Sequence, residues 1–417
     1  MSAHQFQIVL LVLGGMLVIG ALLSGVAGRS FLSLTAVFAL VGFALGRGAT
    51  NVLHFDARSG FVADLAVIAL VVILFRDGLE VDGEMLQREW HLPLRKLVVA
   101  MPITAAVVAL GARLLTNLSW TECFLLGALL SPTDPVLSSS VVTNPRVPRV
   151  IRHSLNLESG MNDGLALPAV LALATALGSS ASHFVWWKFV LQNVGVGLAT
   201  GLVMGVIAAV LMPREEGLGK GIPGYQKSLY ALGAAFATYG ITELPPHGNG
   251  LIAVYVAAIT LGIRRPDIRT YFTQQAADLV EIVKVGVFLV FGSLLTLHGL
   301  FGDGWAAVGI VIVALLVARP VGVFTALVGT STDLETRGFM SWFGPKGVST
   351  MTFSLLVLTQ GITAGTRIFN LAALTVLVSV IAHGATDTPG ADWIARHAER
   401  VQEREALGGI AAEREPA

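Results

Sequence analysis

Acidic side chains stand inside apolar stretches at two neighbouring places in the sequence. Asp134 lies between two prolines in the stretch GALLSPTDPVLSSSVV, residues 127–142. Glu158, Asn162 and Asp163 follow together in NLESGMNDG. An ionised carboxylate at the centre of a membrane span costs about 2.5–3.5 kcal/mol even on insertion scales, so such acids mark ion or proton pathways. The sequence therefore predicts an ion or proton site formed by these acids.

The side chains beside these acids indicate what the site binds. Thr133 and Ser159 add hydroxyl groups next to the carboxylates, and all of these groups are oxygen ligands, which hard cations prefer. Burial favours the protonated form of a carboxyl group, whereas a bound cation favours the ionised form. A monovalent cation and a proton would therefore compete for one carboxylate. Asp134 and Asp163 are both candidates for that carboxylate.

Helical spacing separates the roles of the second acidic group. Glu158 and Asn162 are four residues apart and share one helical face, whereas Asp163 lies about 140° from Glu158 around an ideal helix. Asp163 is thus expected to face the ion cavity while Glu158 faces a structural partner. The candidate partner is Arg319, which lies deep in another apolar stretch and needs an anion to be tolerated there.

Two lysines also lie inside apolar stretches. Lys346, in GPKG, is expected to neutralise helix ends, because a cation is favourable near the C-terminal end of a helix dipole. Lys284 follows Asp278 and Glu281 at a spacing of three, which places them on roughly one helical face. The pattern leaves open whether Lys284 forms a structural ion pair or takes part in the site.

Composition defines the elements that must position these groups. Hydrophobic residues make up 54% of the chain and charged residues 13%, against about 25% charged in soluble domains, which excludes an ordinary soluble enzyme. The chain has one cysteine, Cys123, so no internal disulfide or cysteine-based metal cluster is expected. A net charge of +0 without a basic run argues against a nucleic-acid partner. We expect no cofactor.

Apolar stretches long enough to cross a bilayer recur along the whole chain. We predict about thirteen transmembrane helices, at residues 6–27, 31–46, 60–79, 94–115, 121–142, 149–178, 184–212, 226–242, 248–263, 277–298, 304–328, 338–361 and 366–385. Loop residues such as Arg95, Lys96 and Arg146 concentrate positive charge on one side, which predicts an N-terminus outside and a C-terminus in the cytoplasm. Residues 386–417 are polar and are predicted to form a short cytoplasmic tail after a membrane domain at 1–385.

Two of these stretches are interrupted in corresponding positions. Pro132 and Pro135 break the fifth, and Gly344, Pro345 and Gly347 break the twelfth, because proline removes a backbone donor and disrupts a helix. With the seventh span as a linker, the breaks take the same place in two six-span halves of opposite direction. This pattern is typical of inverted-repeat transporters, whose broken helices bind ions near the middle of the membrane.

These motifs together resemble the monovalent cation:proton antiporter family, specifically its bacterial and archaeal Na+/H+ exchanger branch with an Asn-Asp pair. The motifs that carry the resemblance are SPTDPV at 131–136, NLESGMNDG at 156–164, ARP at 318–320, GPKG at 344–347 and HGATDTP at 383–389. They extend over most of the chain.

The resemblance implies roles for individual residues. Asp163 would be the main ion and proton carrier, and Glu158 with Arg319 would form a buried structural ion pair. The side chains around the ion would be those of Thr133, Asp134, Ser159 and Asn162. The resemblance further implies a homodimer in the inner (plasma) membrane, with dimerisation helices and a mobile core domain that contains two crossed, broken helices.

Three positions depart from the family pattern. Arg76 stands where the third span usually has an acid, and Asp77 follows one residue later, which puts the acid of the cytoplasmic funnel in doubt. Lys346 replaces the arginine of the usual GPRG. Lys284 stands where this branch usually has an uncharged polar residue, so the stoichiometry of exchange stays open.

Antiport of Na+ or Li+ for protons is the function that the sequence favours, and a K+-preferring K+/H+ antiporter is the alternative. A cation channel is the rival of another class, but the chain lacks the repeats of a selectivity filter. Hydrolysis inside the membrane is disfavoured because neither HExxH nor GxSxG occurs, so no enzyme is expected.

Overall fold

The computed structural model describes residues 3–27, 34–57, 59–81, 91–134, 141, 144–178, 184–213, 222–245, 247–275 and 277–412. Every regular element among them is helical. The helices are α1 (Ala3–Ala27), α2 (Leu34–Leu45), α3 (Gly60–Glu80), α4 (His91–Leu115), α5 (Trp120–Leu130), α6 (Arg149–Leu177), α7 (Trp186–Leu211), α8 (Gly224–Glu243), α9 (Gly250–Arg264), α10 (Pro266–Gln275), α11 (Ala277–Leu294), α12 (Leu297–Leu300), α13 (Trp305–Ala326), α14 (Leu334–Trp342), α15 (Val348–Thr359) and α16 (Gly365–Ala412).

Helices occur in every range where a span was predicted, which confirms the all-helical polytopic fold class. By length and hydropathy, α4, α6, α7, α13 and α16 are able to cross a membrane, and shorter apolar helices accompany them. Large apolar side chains lie on the outside of the molecule, for instance Leu11, Leu114 and Trp305. An apolar exterior is stable when hydrocarbon rather than water surrounds it.

Polar side chains at the helix starts satisfy the backbone donors that a helix leaves unpaired. Ser119 and Glu122 form a reciprocal capping box at the start of α5. The Asn249 side chain accepts hydrogen bonds from the first amides of α9, and Ser59 does the same for α3. Such caps fix where each helix begins.

Glycines permit close approach of helices in the densest part of the bundle. A Cβ atom at Gly42 or Gly292 would collide with the facing backbone of α11 or α2, and one at Gly201 would collide with the backbone of α9. In lipid the hydrophobic effect does not drive helices together, so their association depends on van der Waals packing. Small residues at the contacts permit this close packing.

Two interruptions divide helical stretches where the sequence predicted them. α5 ends at Leu130 and is followed by the non-helical residues 131–134, and Pro135 lies outside the described residues. α14 ends at Trp342, and α15 begins only at Val348. The Asp134 amide donates to the carbonyl oxygen of Pro345 at 2.8 Å. The two breaks therefore meet, and each supplies partners for backbone groups that the other leaves unsatisfied.

The last helix continues beyond the predicted end of the final span. α16 runs without interruption from Gly365 to Ala412, and Ala391 and Ile394 are buried in a small apolar cluster with Phe339 of α14. The first part of the predicted tail thus continues the last helix and packs against the bundle.

Candidate functional site

The meeting point of the two breaks holds Thr133, Asp134 and Asn162 together. The Asn162 amide nitrogen donates to the carbonyl oxygen of Thr133 at 2.8 Å and to its hydroxyl at 3.0 Å. Asp134 accepts a hydrogen bond from the amide of Val348 at 3.3 Å, the first residue of α15. A carboxylate at a helix N-terminus is stabilised by the amide donors and the helix dipole. Gly347 is required beside it, because a Cβ there would collide with the Asp134 side chain.

Asp163 lies one residue further along α6 and is 4% exposed. The Ser349 hydroxyl donates to Asp163 Oδ2. Asp163 Oδ1, Asn162 Oδ1 and the Thr350 hydroxyl are buried without a hydrogen-bond partner among the described residues. A buried polar atom without a partner costs about 1–3 kcal/mol, and oxygens of these kinds are ligands that a hard cation prefers.

Ser349 and Thr350 are site residues that the sequence analysis missed. Both are fully buried at the start of α15, directly after the second break. The signal available in the sequence was the pair of hydroxyl residues in GVSTMT. This pair directly follows the second break, and the first break, SPTDP, likewise contains hydroxyl residues. Ser159 lies in α6, but its side chain is outside the described part of the chain.

Asp77, whose role the sequence left in doubt, enters the site from α3. It is 3% exposed, and it lies close enough to Asp163 for the two carboxyl groups to interact. Arg76 donates to Asp77 Oδ1 from Nε at 2.9 Å and from a terminal nitrogen at 2.6 Å. Two neighbouring buried carboxyl groups repel each other when both are ionised, so a proton or a cation is expected to accompany the pair.

Buried cations lie at the ends of the broken helices. Lys346 Nζ donates to the carbonyl oxygens of Ser131 and Pro132 at 3.3 and 3.1 Å, just beyond the end of α5. Arg319 reaches the carbonyl oxygens of Met340 and Phe343 at the end of α14. Carbonyl groups at a helix C-terminus lack intrahelical donors and carry partial negative charge. Each cation thus stabilises one end that the break exposes.

Glu158 is surrounded by two cations. Arg319 bonds its two carboxylate oxygens at 2.8 and 3.3 Å, and Lys96 Nζ lies 2.6 Å from Oε2. A second bond from Lys96 Nζ goes to the carbonyl oxygen of Ser154 at 3.3 Å. Burying one carboxylate with two hydrogen-bonded cations compensates its desolvation.

The position of Lys96 corrects the sequence analysis, which assigned this residue to a loop at the membrane surface. Lys96 is fully buried and begins a π-helical turn in α4, Lys96–Ala100. A second π-helical turn, Val313–Ala318, ends just before Arg319 in α13. π-helical turns alter the direction of the side chains that follow them, and here both cations on Glu158 lie at such turns.

The last helix holds the second break in place. The Lys346 amide donates to the Ser379 hydroxyl at 2.8 Å, Ser379 lies 3.2 Å from His383 Nδ1, and His383 Nε2 lies 2.8 Å from the carbonyl oxygen of Trp342. Nδ1 also lies 2.8 Å from the carbonyl oxygen of Ser379, so each ring nitrogen of His383 is within hydrogen-bonding distance of a backbone carbonyl oxygen. The HGATDTP motif therefore positions both sides of the break.

Lys284 forms an ion pair on its own helix. Its Nζ is 3.0 Å from Glu281 Oε1 on the same helix, α11, and the Glu281 side chain is half exposed. Asp278 is exposed. The structure therefore places Lys284 in an ion pair that opens toward the surface.

The predicted site residues thus fall into separate groups. Thr133, Asp134, Asn162 and Asp163 lie together, and Glu158 forms a separate buried pair with Arg319. Lys346 lies between the two breaks.

Curated relatives match over most of this chain. It is 26% identical over 379 residues to a K(+)/H(+) antiporter, NhaP2, of Shewanella sp. strain MR-4, a match that covers 89% of this chain and 64% of that protein. It is 26% identical over 400 residues to a K(+)/H(+) antiporter, NhaP, of Alkalimonas amylolytica, covering 94% and 67%. A Na(+)/H(+) antiporter of Aphanothece halophytica is 28% identical over 257 residues, covering 59% and 47%. The chain thus spans about two thirds or less of the length of these relatives.

The fold matches that of a solved structure. The sodium proton antiporter MjNhaP1 from Methanocaldococcus jannaschii superposes with a TM-score of 0.78 at 19% sequence identity, over 94% of this chain and 99% of that one. At that identity the likeness concerns the fold. The family model for the transmembrane sodium/hydrogen exchangers matches residues 13–392, and the chain accordingly belongs to the sodium/hydrogen exchanger family.

Proposed function

We propose that this chain is a secondary active antiporter that exchanges a monovalent cation for protons, with the two competing for the carboxyl group of Asp163. The observation that carries the proposal is the buried Asp163, whose Oδ1, like Oδ1 of the adjacent Asn162, has no hydrogen-bond partner among the described residues. The named antiport activities of the relatives support it.

The chemistry of exchange follows from a single shared carboxyl. A protonated Asp163 is neutral and tolerates its buried surroundings, whereas an ionised Asp163 needs a cation, for which Asn162 Oδ1 and the Thr350 hydroxyl supply further oxygens. Proton and cation therefore exclude each other at the site. Exchange across the membrane requires in addition that the site opens to one side at a time.

The contacts between the two breaks favour their movement as one unit. Among the described residues, hydrogen bonds run from the Asp134 amide to Pro345 and from Lys346 to Pro132, and they join the two breaks to each other. We propose that the two breaks move as part of one core domain, and that a second copy of the chain completes a homodimer. The N-terminus would lie outside and the C-terminus in the cytoplasm of the plasma membrane.

Sodium is the proposed cation, with lithium as its close substitute. Potassium is the second candidate, because two of the similar proteins are named as K(+)/H(+) antiporters. Both ions take oxygen ligands, so cavity size decides between them. The activation of exchange by Na+, Li+ and K+, each measured at several pH values, separates the two candidates.

Proteoliposomes with an internal pH dye test the proposed exchange. The purified protein should change the internal pH when Na+, Li+ or K+ is added outside. Asp163→Asn should abolish the response while the protein remains folded by size-exclusion chromatography, because asparagine cannot carry the proton. Asp64→Asn is the matched control, since Asp64 is an exposed acid on α3. The absence of any cation-evoked pH change in the wild type between pH 5 and pH 9 would refute antiport, and full activity in Asp163→Asn would transfer the carrier role to Asp134.

A further inference from the structure

Arg76 is a cation that binds one of the buried acids of the site directly. Its guanidinium group donates twice to Oδ1 of Asp77, so Oδ2 of that carboxylate takes no bond from it. The Asp77 side chain is 4% exposed and that of Arg76 is 19% exposed. The guanidinium thus lies between a buried acid and the end of α3.

A second acid, Glu80, lies on the outer side of Arg76. Glu80 Oε1 lies 3.9 Å from Arg76 Nε, one helical turn along α3, and the Glu80 side chain is 45% exposed. The order from the interior outward is Asp163, Asp77, Arg76 and Glu80. Arg76 therefore has an acidic partner on each side, and the distances show that it now bonds the inner one.

We propose that Arg76 is a tethered competing cation: it neutralises Asp77 when no transported ion is bound, and an arriving monovalent cation displaces it toward Glu80. This inference rests on the proposed antiport function and adds a residue that sets cation affinity. No bond is formed or broken covalently, and the exchange is one of counter-charge for counter-charge at Asp77.

The physical basis is the fixed charge of arginine. The guanidinium remains protonated at any pH that the protein meets, and it offers directed donors to a carboxylate. Two carboxyl groups as close as Asp77 and Asp163 attract any cation strongly. An attached cation competes with a free one at an effective concentration that does not vary with the medium, so Arg76 lowers the affinity for the transported ion and assists its release.

Three substitutions give distinct expectations in transport assays at one fixed pH. Arg76→Gln should lower the KM for the cation roughly tenfold, since the competitor is gone, and should also lower kcat because release becomes slower. Arg76→Lys should stay near the wild type, because the charge remains. Glu80→Gln should raise KM, because the displaced guanidinium loses its outer partner.

A peripheral ion pair provides the matched control. Arg367 bonds Asp303 through the same guanidinium-carboxylate chemistry, at the start of α16 and away from Asp77. Arg367→Gln should leave the KM unchanged. Thermal unfolding in detergent, recorded for each variant, identifies any substitution that merely destabilises the protein.

Equilibrium binding decides the inference independently of transport. Isothermal titration calorimetry of purified protein with Na+, and then K+, should show tighter binding in Arg76→Gln than in the wild type. An unchanged or weaker affinity in a folded Arg76→Gln variant would overturn the tethered-cation role and leave Arg76 as a support for Asp77. If the wild type binds the cation but does not exchange it, the proposed function fails. The cation affinities of the wild type and Arg76→Gln then still test the role of Arg76. If the wild type does not bind the cation, both fail.

Discussion

Lys96 offers the most direct test of the structure, because the sequence placed it at the surface and the structure buries it against Glu158. We consider Lys96→Met, which keeps the length of the side chain and removes its charge. Lys96 Nζ makes two hydrogen bonds, to Glu158 at 2.6 Å and to Ser154 at 3.3 Å. Arg319 keeps its two bonds to Glu158 in this variant.

The expected cost follows from what remains paired. Removing one partner of a buried ion pair costs about 3–5 kcal/mol when the remaining charge is left alone, whereas a hydrogen bond to a charged group contributes about 1.5–3 kcal/mol. Since Arg319 still neutralises Glu158, Lys96→Met should lower the free energy of unfolding by about 1.5–3 kcal/mol. Glu158→Gln leaves both Lys96 and Arg319 without their anion, so it should lower the free energy of unfolding by about 3–5 kcal/mol.

A double-mutant cycle measures this coupling. Unfolding of Lys96→Met, Glu158→Gln and the double variant in detergent should show a double variant that is less destabilised than the sum of the single variants. Strictly additive effects, or a Lys96→Met variant as stable as the wild type, would refute the buried contact. Exchanging the charges, with Glu158→Arg and Arg319→Glu in one variant, should recover little stability, because Lys96 would then face an arginine. Adding Lys96→Met to that variant should increase its stability.

Two further predictions concern pH and the last helix. The pKa of Asp267, in α10, lies below its ordinary value of 3.8 because Arg265 donates two hydrogen bonds to it. The ion pair therefore stabilises the folded protein above pH 3.8, and this contribution is lost as the pH falls through the lower folded-state pKa. Asp267→Asn should therefore lower the melting temperature at pH 7, and this difference from the wild type should shrink as the pH is lowered below 3.8; a difference that does not change with pH would contradict the ion pair. His383→Ala should destabilise by about 1–3 kcal/mol, because Ser379 and the Trp342 carbonyl lose a partner. Unfolding in detergent measures this, with His298→Ala, an exposed histidine, as the control, and equal stability of the two variants would show that the hydrogen-bond chain contributes nothing.

Much of the fold follows from local sequence patterns. Apolar stretches of sufficient length predict where helices lie, because the bilayer permits few other structures, and Pro132, Gly344 and Pro345 predict where two of them are interrupted. The acids at Asp134 and Asp163 were recognisable because charge inside an apolar stretch is costly and needs a reason. These signals depend on neighbouring residues alone.

The helix ends were less predictable. The polar composition after residue 385 predicted a short tail, and in the structure α16 continues through this stretch to Ala412, since a helix ends only where backbone geometry or caps require it. Ala391 and Ile394 face an apolar cluster with Phe339, a contact that the charged residues around them concealed in the sequence.

Only the tertiary structure decided which groups surround Asp163 and Glu158. Ser349 is 186 residues from Asp163 and Lys96 is 62 residues from Glu158 along the chain, and periodicity carries no information about such pairs. By itself the sequence determined that the protein lies in a membrane, that two helices break and that acids stand at the first break. The structure decided that Asp77 reaches Asp163, that Arg76 already binds Asp77, and that Glu158 has two cationic partners, because packing of distant helices sets these distances.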